Sequence, residues 1–333
     1  MKYLVTGATG LLGNNVVRLL VAAGEEVRVL TRDKSDPRPL EGLPVERVRG
    51  DVRDAAAVAA GCQGMDAVIH SAGHVHLGWT QRDLHEQINV QGTRNVAAAA
   101  RAAGAKLVHV SSVNALGLGL RTQPADEESA LPGIVECPYV LTKRAAEQIV
   151  LEEVGRGLVA SIVNPGLLLG PWDWKPSSGK MFLAVARFAP WAPTGAVSFC
   201  DARDVAAGTI AAAARGASGR RYVLCGHNLT YRQGWQEMAR VAGKPGPMLP
   251  MGPLFRGAVL PIIGVWNTLA RQESDANSAA LAMGQQQHCF SSARAVQELG
   301  YQIRPLRETL EETWRWFCDH GYVRNKASAR RAG

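Results

Sequence analysis

The sequence predicts an α/β chain built on a doubly wound, mainly parallel sheet, with a smaller and mostly helical region after it. Three observations lead there. Short β-branched runs alternate with Ala-rich helical stretches through residues 1–165. Strands separated by helices of about 10–20 residues call for crossover units, because a tight turn cannot join parallel neighbours. A glycine-spaced run, Gly7, Gly10 and Gly13, falls where the first strand hands over to the first helix.

The elements follow in order. Tyr3-Leu4-Val5 is a first strand, and residues 11–23 are a helix closed by Gly24, the residue type that ends helices in a left-handed turn. Residues 27–30 and 45–48 are the second and third strands, 55–60 a short helix and 67–69 the fourth strand. A long helix covers 83–103 and stops at Gly104; strand 107–110, helix 139–153 and strand 160–163 complete the alternation. After Pro165 the pattern breaks. Residues 166–194 are rich in Gly, Pro and Trp and read as loops and short helices. Residues 204–215 then read as a helix, 222–224 as a strand and 306–320 as an amphipathic helix. The organisation expected is a dinucleotide-type base over 1–165, joined by about 195–228, and a substrate-covering region over 166–194 and 229–323.

With 47% hydrophobic and 20% charged residues among 333, the composition is that of a globular protein and excludes a disordered one. Lys and Arg outnumber acids 37 to 29, a formal charge of +8, which raises nucleic acid as a partner. Four of those positives, Arg324, Lys326, Arg330 and Arg331, fall in the last thirteen residues, which hold no acid. Residues 324–333 therefore read as a basic flexible tail, and no nucleic-acid partner is expected. The six cysteines stand apart with no Cys-x-x-Cys pair, so neither a disulfide framework nor a structural zinc site is expected, and a reducing cytoplasm fits. The apolar stretch Gly257 to Ala270, broken by Pro261 and Gly264, is shorter than the ~20 residues of a membrane span. It reads as a buried or lid helix.

The turn Gly7-Ala8-Thr9-Gly10-Leu11-Leu12-Gly13 carries the first chemistry. Glycines there let backbone N–H groups approach a pyrophosphate at the positive end of a helix. At the end of the second strand, an acid would favour NAD by bonding the ribose hydroxyls. This chain has Thr31-Arg32 instead, and a guanidinium pairs well with a ribose phosphate. NADP is the expected cofactor; Asp33 nearby keeps NAD as the alternative. Tyr139 and Lys143 stand four apart, on one helix face. A phenol normally titrates near 10, and a neighbouring cation lowers that value toward useful acid–base chemistry. Ser111-Ser112, just past strand 107–110, adds a hydroxyl at the carboxyl edge of the sheet, where such sheets bind ligands.

These motifs occur together with Gly50-Asp51-Val52, His70-Ser71-Ala72-Gly73, Asn89-Val90-x-Gly92-Thr93, Asn164-Pro165-Gly166, Gly170-Pro171, Asp201-Ala202-Arg203-Asp204 and Phe290-Ser291-Ser292. In that order and spacing the chain resembles the extended short-chain dehydrogenase/reductase family, of the NAD-dependent epimerase/dehydratase kind, from residue 1 to about 320. The resemblance implies a Rossmann-type base. It implies that Gly7, Gly10 and Gly13, with Thr9, Leu11 and Leu12 of the same turn, line the pyrophosphate. Arg32 would meet the adenosine ribose phosphate and Asp51 with Val52 the adenine. Ser71, Ala72 and Gly73 would pass beside the cofactor, and Asn164 and Pro165 would border the nicotinamide or substrate. Tyr139 would be the acid–base, Lys143 would bind the nicotinamide ribose and depress the tyrosine pKa, and Ser112 would hydrogen-bond the reacting oxygen. Asn89 would be structural, and a homodimer would form through helices 83–103 and 139–153.

The resemblance also bears on the reaction. The run Ser111-Ser112-Val113-Asn114-Ala115-Leu116-Gly117 lacks the tyrosine usual in sugar-nucleotide epimerases, and no acidic pair of the dehydratase kind follows Ser112. Val163-Asn164-Pro165 with Thr31-Arg32 is more similar to dihydroflavonol reductases and steroid dehydrogenases; Phe290 to Tyr301 resembles bacterial proteins called hopanoid-associated sugar epimerases. The implied reaction is hydride transfer between NADP(H) and a carbonyl or carbinol carbon. Trp79, Trp172 and Trp174 fall in segments at the carboxyl edge; aromatic walls there would suit an apolar or ring-bearing small molecule. The alternatives are an NAD-dependent nucleotide-sugar epimerase/dehydratase and a catalytically silent NADP(H)-binding sensor. His70, His74 and His76 lack a third ligand at metal spacing, and no metal is expected.

Overall fold

In the computed structural model, residues 1–129, 133–252, 255, 273–274 and 277–323 are described. The apolar stretch 257–270 and the basic tail 324–333 lie outside them. The strands are β1 (Lys2–Thr6), β2 (Glu26–Thr31), β3 (Glu46–Arg49), β4 (Ala67–His70), β5 (Lys106–Val110), β6 (Ala160–Pro165), β7 (Leu167–Leu169), β8 (Trp191–Ala192), β9 (Ala196–Asp201), β10 (Arg221–Leu224), β11 (His227–Thr230), β12 (Leu249–Pro250) and β13 (Gln287–His288). The helices are α1 (Leu11–Ala22), α2 (Ala55–Cys62), α3 (Arg82–His85), α4 (Gly92–Ala102), α5 (Pro138–Gly155), α6 (Gly179–Phe188), α7 (Ala202–Arg215), α8 (Tyr231–Val241), α9 (Ser278–Gln285) and α10 (Leu306–Asp319).

Seven strands form the main sheet in the order β10-β6-β5-β4-β1-β2-β3, and every neighbouring pair is parallel. Strand order reverses beside β1, the place where doubly wound sheets take up a dinucleotide. The faces are covered separately. Val5, Val29, Ile69 and Val163 pack with α1 and α7, while Leu4, Val68, Leu107 and Ile162 pack with α2, α4 and α5. Side chains on a strand point alternately to opposite faces, and here both faces are covered, so β4 and β6 are buried along their whole length.

Among the departures from the sequence expectation, β7, β8 and β11 are strands that it did not give, and two others bear on the site. The long helix at 83–103 is interrupted: Glu86–Gln91 is a π-helical segment between α3 and α4. The widened turn holds Asn89, and such bulges collect at functional sites. Residues 196–201 were not expected to form a strand, yet β9 is buried along its whole length and is the centre of a second sheet ordered β11-β9-β13, with β7 also paired to it. A short buried run without alternation gives no periodic signal. Of the joining segment at 195–228, α7 and β10 therefore serve the main sheet, and β9 serves the second.

Candidate active site

Gly7 ends the turn after β1 at φ +71°, a left-handed conformation that a side chain would strain. A Cβ on Gly7 would stand 2.6 Å from the Ala72 nitrogen, and one on Gly13 would stand 2.2 Å from the Gly7 carbonyl oxygen. Only bare backbone fits. Gly10 is the N-cap of α1, and no side chain caps that end. Its leading N–H groups and the positive end of its dipole therefore suit a pyrophosphate, and the turn fits the cofactor that the sequence implies.

The loop after β4 passes beside this turn. Thr6 holds it, bonding His70 Nδ1 at 2.7 Å and accepting from the Ala72 nitrogen at 3.3 Å. Asn89, on the π segment, grips the same loop from the other side. Its Oδ1 accepts from the His74 nitrogen at 2.7 Å and its Nδ2 donates to the His74 carbonyl at 3.1 Å. Gly73 lies in between: a Cβ there would reach within 3.4 Å of Lys143 Nζ. Asn89 is thus structural, and what it positions is the strip Ser71-Ala72-Gly73.

Tyr139 and Lys143 sit on the first two turns of α5 and are both buried. Lys143 Nζ donates to the Val110 carbonyl at the end of β5, at 2.9 Å. Burial pulls its ammonium down to about 8, opposed by the nearby Glu147 carboxylate. Tyr139 goes the other way. Burial raises its phenol, and a hydrogen bond with the Ser112 hydroxyl pulls it down. Ser112 is thus the counterweight to burial at the phenol.

Asn164 is fully buried, and its Nδ2 donates to the Ser112 carbonyl at 3.0 Å and to Glu147 Oε1 at 2.7 Å. Its Nδ2 thus supports the serine, while its Oδ1 has no partner among the described residues. Arg32 is exposed at the end of β2 and makes no ion pair with a described residue. Asp33 is drawn instead toward Arg49, at 3.7 Å, and Asp51 is gripped by Arg53, with Nε–Oδ1 at 3.0 Å. The Val52 carbonyl accepts from Asn95 Nδ2 at 2.9 Å, fixing that corner.

The tryptophans divide. Trp79 is half exposed, and its indole donates to Ser278 Oγ at 2.9 Å. Trp172 and Trp174 pack with Trp316 and His320 of the C-terminal region, Trp174 edge-on to Trp316 with centroids 5.3 Å apart. The Arg18 guanidinium lies 3.3 Å over the Trp172 ring. Flat rings near one another hide apolar area from water, and both residues remain partly exposed. What surrounds Tyr139 instead is Ile134, Cys137, Val140, Ala279 and Met283, with Leu77, Leu118 and Val135 partly buried against them. Sequence reasoning missed Ala279 and Met283, since nothing local marks α9 as a neighbour of α5.

The histidines of this region have other partners than a metal. His70 Nε2 meets Thr93 Oγ1 at 3.1 Å, His74 meets Gln81 at 2.8 Å and His76 meets Glu273 at 3.1 Å.

A profile of the NAD-dependent epimerase/dehydratase family matches residues 3–225. The chain belongs to that family. It is 34% identical to sterol demethylase protein B of Methylococcus capsulatus, over 97% of this chain and 100% of that one. It is likewise 34% identical to a putative dihydroflavonol 4-reductase of Synechocystis, over 97% and 96%. Among solved structures, that of gox2253 superposes with a TM-score of 0.83 at 33% identity, covering 97% of this chain and 99% of the other. The protein is accordingly an NAD(P)-dependent enzyme of the dehydrogenase, reductase, epimerase and dehydratase kind, acting on small molecules with a nicotinamide cofactor. No described helix is long and apolar enough to cross a membrane.

Proposed function

We propose that this family member is an NADP(H)-dependent reductase or dehydrogenase of an apolar or ring-bearing carbonyl or alcohol. The observation that carries this is the apolar lining around Tyr139, made of Ile134, Val140, Ala279, Met283, Leu77, Leu118 and Val135. None of these side chains can hold a diphosphate, whereas they bury a hydrocarbon skeleton favourably, at about 25 cal/mol per Å². Relatives named for a sterol and for a dihydroflavonol agree with a ring-bearing substrate. The exposed Arg32, with Asp33 drawn toward Arg49, favours NADP over NAD.

When bound, the nicotinamide cofactor supplies or accepts the hydride. The chain does the rest. Gly7, Gly10 and Gly13 would cradle the pyrophosphate, and Lys143, anchored on Val110, would hold the nicotinamide ribose. The Ser112 hydroxyl orients the reacting oxygen, and Tyr139 Oη gives or takes its proton. The apolar cluster keeps water from the reacting carbon.

The test is absorbance loss of NADPH with a panel of cyclic ketones, aromatic aldehydes and nucleotide sugars, and the reverse oxidation of the alcohols. Turnover confined to the apolar compounds is expected, with Tyr139→Phe reduced about 10³-fold. An epimerase or dehydratase consumes no net NADPH, so conversion of a nucleotide sugar seen by chromatography while the absorbance stays flat would give that reading. Tight NADPH binding with no turnover would leave a sensor.

A further inference from the structure

One acidic side chain beneath the site is tied to both flanks of it. Glu147 lies one turn after Lys143 on α5 and is almost wholly buried. Its Oε1 accepts from Asn164 Nδ2 on β6 at 2.7 Å, and the same amide donates to the Ser112 carbonyl at 3.0 Å. Its Oε2 accepts from Arg221 Nε on β10, also at 2.7 Å. A carboxylate carried this deep costs several kcal/mol unless it is paired, and here each oxygen has a partner on a different strand.

We propose that Glu147 is a positioning residue for the Tyr139–Lys143–Ser112 site: its carboxylate stands one helix turn from Lys143 as the counter-charge to that ammonium, and through Asn164 it fixes the backbone that presents Ser112. The inference rests on the roles assigned to those three residues above.

The surroundings of Lys143 explain why a counter-charge is needed. His70 on β4, His109 on β5 and His85 on α3 are driven toward their neutral forms chiefly by burial, with the Lys143 charge a lesser push in the same direction. Tyr139, on the same helix, is held neutral by burial. The Val110 carbonyl offers only a dipole. Glu147 is the acid whose charge registers at Lys143, and it favours the ammonium. Arg221 faces Glu147 rather than Lys143 and competes for its charge.

The test follows the Lys143 amino group directly, by NMR of lysines labelled at Cε, with the signal assigned by its loss in Lys143→Met. This readout needs no substrate, so a failed reductase reading and a failed role for Glu147 are told apart. In the wild type the group should titrate at about 8. Glu147→Gln keeps an acceptor for Asn164 and removes the charge; Lys143 should then titrate about one pH unit lower, a tenfold weaker hold on its proton. Arg221→Met removes the competing cation and should move the titration upward. Where a substrate is in hand, the alkaline limb of kcat/KM should follow each shift, whereas a merely structural carboxylate would lower activity equally at every pH. Asn164→Val isolates the other arm: kcat should fall while the Lys143 titration stays. An unmoved Lys143 in Arg221→Met, or shifts of one sign in both charge variants, overturns the proposal. If Glu147→Gln does not fold, Arg221→Met alone decides.

Discussion

The base of the molecule and its C-terminal region place side chains by different physics. Around the glycine turn, positions are set by backbone approaching backbone: Gly7 against Ala72, Gly13 against Gly7. The requirement is for the absence of a side chain at fixed spacing, so it can be met in only one way. In the C-terminal region, Trp172, Trp174, Trp316, His320 and Tyr322 gather by ring contact. The contacts that bring Trp172 and Trp174 to Trp316 and His320 span more than a hundred residues. A short-range constraint writes a motif, and a long-range one writes only composition.

The largest effect expected from this contrast is on stability in the aromatic cluster. Trp316 is almost wholly buried among its rings, so Trp316→Ala should destabilise by about 3–5 kcal/mol, measured by denaturant unfolding. Affinity for NADPH should stay unchanged at temperatures where the variant is folded. A parallel loss of NADPH affinity would break the contrast, since it would place the cluster in the cofactor site.

Acid should act on β4 and α3 before α10. His70 is held down to about 3 and His85 to about 4, both chiefly by burial, against 6.5 when unfolded. The unfolded chain therefore binds protons that the folded one refuses. The stability these residues contribute is complete above pH 6.5 and declines as pH falls toward the folded values, by about 1.4 kcal/mol per pH unit for each group. Hydrogen exchange at pH 5 should show β4 and α3 losing protection before α10, in which no histidine lies. Equal loss in α10 would remove the distinction between the regions.

The smallest effect tests cofactor choice. Arg32→Ala should weaken NADPH binding about tenfold, the worth of one charge-assisted pair, and leave NADH binding and stability within about 0.5 kcal/mol. Equal weakening of both cofactors, read by fluorescence titration, would argue that Arg32 does not meet a ribose phosphate.

Much of the fold was legible because its signals are local. Alternating runs of strand and helix, with Gly24 and Gly104 as helix stops, gave the base element by element. The site was legible for the same reason at Gly7, Gly13, Tyr139, Lys143 and Ser112. Glu147 left a readable sign, one helix turn beyond Lys143, which the motif reading passed over. Ala279 and Met283 left none, because only the packing of α9 over α5 brings them to Tyr139. The ring partners of Trp172 and Trp174 were not legible, because an aromatic side chain in a loop looks the same whether it faces a substrate or another ring.

By itself, then, the sequence determined the parallel sheet, the dinucleotide turn and the Tyr139–Lys143 pair, each written in spacings of a few residues that chain geometry converts directly into contact. Only the tertiary structure decided what surrounds the phenol, that burial raises its pKa against Ser112, and that Glu147 reaches the Ser112 backbone through Asn164. Those depend on which distant segments exclude water from which group, and desolvation is a property of the whole packed neighbourhood, not of any stretch of chain.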